Sequence, residues 1–186
     1  AIGYDAMNGG VTTGDNNIAI GTSAGDALTS GRLNIFMGKN AGGAITDANG
    51  IIAIGHDAVT GDADSDIVAI GNHALQDAQA GATANTAVGH QAGVDLTTGD
   101  DNVFMGTNAA RENRTGGQNV YVGSAAGQGT NAYSNSNNVG IGYKALYLNR
   151  TGTENVAIGK DSMVDATTSD GTVAVGAESL YNVTSG

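Results

Sequence analysis

The 186-residue chain lacks several residue types on which folded proteins usually depend. It has no cysteine, proline or tryptophan, only two Phe and six Tyr, and only seven Lys plus Arg. Without cysteine there can be no disulfide, thiolate metal site or thiol nucleophile. The net charge of −11 argues against a nucleic-acid partner and against binding to an anionic membrane. No apolar run approaches the roughly 18 residues that span a bilayer, so we expect no membrane insertion in this segment.

The residues that are abundant indicate a thin, layered core. Apolar residues make up 40% of the chain and are mostly Ala, Ile and Val. Small and β-branched side chains suit flat, repeated layers better than a thick interior. Glycine contributes 31 residues, and disordered or collagen-like chains of that kind are usually rich in proline too. We therefore expect the glycines to mark corners that recur within an ordered fold.

A glycine preceded by an aliphatic residue recurs along the whole chain, in steps of 16 to 19 residues. These anchor glycines are Gly3, Gly21, Gly38, Gly55, Gly71, Gly89, Gly106, Gly123, Gly142, Gly159 and Gly176. A period near 17 is too short for paired-helix repeats, and no 3.6-residue rhythm runs through the units. The spacing predicts an all-β, parallel β-solenoid of about eleven coils, stacked at ~4.8 Å into a rod roughly 50 Å long. Residues 1–186 then form a single repetitive segment. Because both ends lie mid-pattern, we interpret it as an excerpt of a longer fibre protein.

The residues before each anchor glycine alternate in the way typical of a strand with one buried face. The residue directly before the glycine is aliphatic in all eleven units, and the residue two positions earlier is Ile or Val in nine of ten. We interpret these two rows as the buried face. The residue three after the glycine is Ala in nine units and Ser in two. It is predicted to begin a second strand that returns across a narrow core.

Asparagine stands four residues before the anchor glycine in seven units, at Asn17, Asn34, Asn85, Asn102, Asn119, Asn138 and Asn155. Stacked once per coil, these side chains can hydrogen-bond along the rod as an Asn ladder. Asparagine also tolerates left-handed backbone geometry, so turn formation alone explains the row equally well. Both interpretations stay open at the level of sequence.

The residue between the two aliphatic rows is expected to point away from the core. It is small or aromatic at Ala19, Phe36, Ala53, Ala69, Ala87, Phe104, Tyr121, Gly140, Ala157 and Ala174. A solvated strand face would carry Thr, Lys, Glu or Ser, whereas a continuous apolar strip is an association surface. These ten residues are therefore predicted to form an oligomer interface closed by cyclic symmetry.

The repeat resembles known fibre proteins. The segments Asn17-Ile18-Ala19-Ile20-Gly21 and Asn155-Val156-Ala157-Ile158-Gly159 resemble the head repeats of trimeric autotransporter adhesins of the YadA type. The full repeat unit of about 17 residues is similar to repeats in phage tail fibres. Its period is longer than that of the adhesin heads, which favours the tail-fibre resemblance. The resemblance covers essentially the whole chain. It implies a left-handed β-roll assembled as a homotrimer, located extracellularly on a cell surface or virion tail fibre, that binds a host cell-surface receptor or glycan.

Features that suggest metal binding are few. Asp62, Asp64 and Asp66 alternate as at the start of an EF-hand loop. The required glycine and later Glu are missing, so a solvated acidic turn is favoured over a calcium site. We therefore predict no resident cofactor, with calcium as the alternative at these three residues.

Three histidines recur at intervals of one coil, namely His56, His73 and His90. Stacked imidazoles can bind a transition metal. His73, however, lies one residue further from its anchor glycine than the other two, so we interpret all three as surface histidines.

No catalytic residue is predicted, because the chain has no nucleophile elbow, no His-Glu-x-x-His and no Lys-containing phosphate loop. We expect no enzyme.

The longest step, from Gly123 to Gly142, inserts residues around Tyr133, a candidate ligand-touching loop, although simple length variation is the favoured explanation. The predicted function is a structural and adhesive fibre segment. The alternatives are a monomeric solenoid that binds calcium or ice and, third, a glycan-cleaving fibre.

Overall fold

The computed structural model describes residues 1–9, 13–129 and 134–183. Across these residues the regular structure is one parallel sheet of three-residue strands. In chain order they are β1 Ile18–Ile20, β2 Ile35–Met37, β3 Ile52–Ile54, β4 Val68–Ile70, β5 Thr86–Val88, β6 Val103–Met105, β7 Val120–Val122, β8 Val139–Ile141, β9 Val156–Ile158 and β10 Val173–Val175. In the described part of the chain, no helix is long and apolar enough to cross a lipid bilayer.

The strands lie in the sheet in the same order as in the chain, from β1 to β10. Parallel neighbours in sequential order require the chain to circle back once between strands, so ten strands define about nine turns of a β-solenoid. The pairing keeps equivalent residues opposite each other, with Ala19 beside Phe36 in the first pair. The first glycine unit contributes only an isolated bridge between Ile2 and Ile20. The parallel β-solenoid is thus confirmed, while its left hand and the number of eleven coils stay predictions.

The predicted second strand is absent from the described residues. After each anchor glycine the chain forms turns instead, because residues two and four positions later adopt left-handed backbone angles. In one coil the φ angles are +136° at Gly106, +57° at Asn108 and +50° at Ala110. Such alternation curls the backbone and prevents an extended strand. The small residue three after the glycine, such as Ala109, is buried as expected, but it lies in this turn.

The strand side chains point in the opposite sense from the prediction. In every strand the middle residue is buried and the two flanking residues are partly or largely exposed. The residues predicted to form an oligomer interface therefore lie inside the solenoid: Ala19, Phe36, Ala53, Ala69, Ala87, Phe104, Tyr121, Gly140, Ala157 and Ala174. They cannot contact a second chain. Alternation identifies which residues share a face, but the coil is too thin to enclose two rows of Ile and Val.

Glycines in the turns make room for the aromatic core residues. A Cβ added at Gly25 would lie 2.6 Å from Phe36 Cδ2, and one at Gly42 would lie 2.3 Å from Phe36 Cδ1. Gly42 follows its anchor glycine by four residues. In three coils whose strand has a small middle residue, this position holds a large, fully buried residue, namely Leu75, Leu146 or Met163. A ring in the strand with a glycine in the turn therefore fills a volume comparable to that of a small residue in the strand with a large aliphatic residue in the turn.

Two further rings stack inside the coil. The Phe104 and Tyr121 ring centroids lie 6.0 Å apart at an interplanar angle of 17°. The Tyr121 hydroxyl donates a hydrogen bond to Asn135 Oδ1 at 3.0 Å, which satisfies its polar atom inside the core. Burial raises the pKa of Tyr121 well above its usual value, so the phenol stays neutral.

The asparagines before the strands form a ladder, which confirms one of the two interpretations of that row. Asn102 Oδ1 accepts the backbone N–H of Asn119 at 2.9 Å, while Asn102 Nδ2 donates to the carbonyl of Gly116 at 3.0 Å. All of the row except half-buried Asn17 is fully buried, and the same pair of bonds recurs from coil to coil. Ile51 and Ile67, both fully buried, take this position in two coils and divide the ladder. Where Asn is present, the ladder links successive coils and supports the register of the strands.

Substitution of Asn119 by Ala is expected to lower the free energy of unfolding by about 2–4 kcal/mol. The change removes partners from the Asn138 N–H, now bonded at 3.0 Å, and from the Asn135 carbonyl, now bonded at 2.8 Å. Each buried polar group left unpaired costs about 1–3 kcal/mol. Urea denaturation followed by circular dichroism measures the loss. Asn17→Ala is the control, because water can replace the half-buried amide there. Equal losses in the two variants would contradict a role for burial.

Candidate functional site

The first and third residues of β1–β10 form an apolar surface, which we call the sheet face. Nineteen of these twenty side chains are apolar, Thr86 is the exception, and none is charged. Sequence reasoning had recognised these rows but placed them in the core. The alternation along each strand shows which residues share a face, but it does not show which of the two faces is buried.

The sheet face is long and narrow. Parallel strands lie about 4.8 Å apart, so ten of them extend about 43 Å along the rod, and the two rows are about 7 Å apart. Even with neighbours on both sides, Met105 is 43% exposed and Ile141 is 39% exposed. Because equivalent residues pair in register, the rows run without interruption from one end of the sheet to the other.

Close backbone packing holds the strands of the sheet face side by side. Each strand is followed by an anchor glycine, and those after β1–β9 stack directly on the anchor glycine of the next coil. A Cβ at Gly106 would lie 2.5 Å from the carbonyl oxygen of Gly123, and the φ of Gly106 is +136°. An L-residue rarely adopts that angle, so glycine is required for both reasons. The Asn ladder at the start of most strands and the glycine stack at their ends hold the coils in register.

The acidic run predicted as the alternative calcium site is used for contacts between coils. Asp62 Oδ1 accepts the backbone N–H of Thr46 at 3.1 Å, in the preceding coil. Asp64 Oδ2 accepts the N–H of Gly81 at 2.7 Å, in the following coil. The two carboxylates therefore bond to opposite neighbours, and within the described residues Asp62, Asp64 and Asp66 do not form a group of converging ligand atoms.

Two of the three recurring histidines lie close together, with an aspartate that sequence reasoning had not considered. His56 Nδ1 lies 3.2 Å from Asp57 Oδ2, and His73 Nδ1 lies 3.8 Å from the same oxygen. All three side chains are half-buried. His90 is not part of this group. The other candidate position, Tyr133, lies outside the described residues.

Comparison with models of known protein families, with curated proteins and with solved structures finds no match to this chain. The fold, the sheet face and the His56–Asp57–His73 group are therefore the observations on which a function must be based.

Proposed function

We propose that this chain is a structural and adhesive segment of an extracellular trimeric fibre, either a tail fibre or a surface adhesin, that attaches to a host or cell surface. The observation that supports this proposal is the exposed apolar sheet face. Monomeric proteins rarely expose a contiguous apolar patch of more than a few hundred Å², and larger ones mark association surfaces. The sheet face presents nineteen apolar side chains in two continuous rows along all ten strands.

A second and third copy of the same chain are the partners that fit this surface. Each copy has the same spacing between rows, so apolar side chains of one rod meet apolar side chains of another at every coil. The strip is only two side chains wide, which suits several rods that meet along a common axis parallel to their length. Three such strips enclose a closed apolar core and leave the turns of every coil facing outward. The resemblance to YadA-type heads also supports three copies and a left-handed coil.

The outward-facing turns are the part of the fibre that we assign to contact with a receptor or glycan. Turns carry most of the variable residues of each unit and most of the charged ones. A trimer presents each turn three times, and multivalent contact converts weak single contacts into firm attachment. The proposed adhesion thus depends on the proposed assembly.

Substitution of Met105 by Lys is expected to convert the trimer to monomers. The new ammonium would be buried among apolar side chains in the middle of the proposed interface, which is strongly unfavourable. Sedimentation equilibrium of the wild-type chain should give three times the monomer mass, and the variant should give the monomer mass. Circular dichroism should show that the variant keeps its β-structure, since Met105 is exposed on the single chain.

Thr98→Lys adds the same charge at an exposed turn position and should leave the trimer intact. A monomeric wild-type chain at micromolar concentration would overturn the trimer. It would favour the alternative of a single-chain solenoid that binds its ligand directly.

A further inference from the structure

Stacking of successive coils brings three metal-ligating side chains together on one edge of the solenoid. His56 and Asp57 follow the anchor glycine after β3, and His73 lies two residues after the anchor glycine that follows β4. The backbone N–H of His73 donates to the carbonyl of His56 at 2.9 Å. His73 lies one residue further from its anchor glycine than His56 does. This offset places His73 over Asp57 and beside His56.

The three side chains converge. One ligand atom from each of His56, Asp57 and His73 lies within 4.8 Å of the other two. The two imidazole rings are 5.4 Å apart between centroids and meet edge to face at 84°. Ligands of a tetrahedral zinc ion, at about 2.0–2.2 Å from the metal, are roughly 3.3 Å from one another. Small side-chain rotations of these half-buried residues are enough to bring the ligand atoms from within 4.8 Å to that separation.

Neighbouring amides orient two of the three ligands. Asn40 Nδ2 donates to Asp57 Oδ1 at 2.9 Å, which leaves Asp57 Oδ2 directed at both histidines. Gln76 Oε1 lies 2.9 Å from His73 Nδ1, the same ring nitrogen that faces Asp57 Oδ2 at 3.8 Å. An ion bound through Nδ1 would therefore replace the Gln76 contact. The hydrogen bond to the second carboxylate oxygen of Asp57 is typical of the surroundings of a metal ligand.

The chemistry of the donor set indicates which metal the group would take. Two imidazole nitrogens and one carboxylate oxygen suit a borderline transition-metal ion, with Zn²⁺ the commonest, and do not suit Ca²⁺ or Mg²⁺, which prefer an all-oxygen shell. Three protein ligands leave a fourth tetrahedral position for water or for a group from outside.

We propose that His56, Asp57 and His73 form a zinc-binding site that joins two successive coils. The site lies within one chain, so it does not depend on the trimer or on adhesion. A bound ion adds a cross-link between coils at a position where the Asn ladder is interrupted by Ile51 and Ile67.

Calorimetric titration of the chelator-treated chain with zinc chloride tests the site. We expect one ion per chain and a higher thermal midpoint in its presence, because the ion binds the folded state. His56→Asn, Asp57→Asn and His73→Asn should each weaken binding about tenfold or more. Asparagine stands at equivalent positions in other coils, at Asn40, Asn72 and Asn108, so these variants are expected to fold.

The matched control is His90→Asn, which removes a histidine that lies outside the group and should leave zinc binding unchanged. The proposal is overturned if the wild-type chain binds no zinc, if binding survives in the His73→Asn variant, or if the His90→Asn variant loses as much affinity. Folding of each variant is checked by circular dichroism, so that loss of binding is not confused with loss of structure.

Discussion

Replacement of Gly106 by Ala is expected to lower the free energy of unfolding by about 3–5 kcal/mol. The backbone angle φ of +136° disfavours any L-residue, and the new methyl group would lie 2.5 Å from the carbonyl oxygen of Gly123. A strained backbone angle costs about 1–3 kcal/mol, and insertion of an extra group into a tightly packed site costs a similar amount. Thermal and urea denaturation followed by circular dichroism measure the loss.

Gly176→Ala separates the two causes. Gly176 has a similar φ of +124°, but within the described part of the chain no atom beyond its two chain neighbours lies within 4 Å of the added methyl group. This variant should therefore show only the backbone cost, about 1–3 kcal/mol. If both variants were destabilised equally, the close stacking of anchor glycines would not be the reason for their recurrence.

Phe36 and Gly42 share one volume in the core, so their substitutions are expected to have strongly non-additive effects on the free energy of unfolding. Phe36→Ala alone should cost about 3–5 kcal/mol, because it leaves a cavity in a thin core. Gly42→Leu alone should also destabilise, since its Cβ would lie 2.3 Å from the Phe36 ring. The double variant F36A/G42L has the combination found in another coil, where Ala69 is followed by Leu75 with φ +47°. It should recover about 2 kcal/mol or more relative to the sum of the single losses.

A control pair shows whether that recovery is local. Gly127 contacts Tyr121 in a distant coil, where a Cβ would lie 2.6 Å from Tyr121 Cδ2. Phe36→Ala combined with Gly127→Leu should therefore be additive within about 0.5 kcal/mol. Additivity in the F36A/G42L pair as well would contradict the exchange of volume.

The anchor glycines illustrate what the sequence determines. Their regular spacing, with alternating apolar residues before each one, was sufficient to predict parallel strands stacked in register, because a repeated unit that cannot bury its own apolar residues must stack on its neighbours. The row that includes Asn102 and Asn119 was also recognised, and one of its two interpretations is now confirmed by hydrogen bonds between coils. These features depend on spacing along the chain, which the sequence contains in full.

The orientation of the strands depended on information that spacing does not contain. Alternation separates Ala19 from Ile18 and Ile20, but both sets are apolar, so hydropathy did not decide which set is inside. The decision came from the turns. Left-handed residues after each glycine curl the chain back so tightly that the middle strand position accepts a small residue such as Ala, or a ring opposite a glycine. The same turns replace the expected second strand.

The sequence by itself determined the repeat, the parallel sheet and the residues that stack from coil to coil. Only the tertiary structure decided that the Ile and Val rows face outward and that His56, Asp57 and His73 meet. The physical reason is the same in both cases. Direction and proximity of side chains are set by how one coil lies on the next, and that depends on backbone turns whose geometry no period in the sequence specifies.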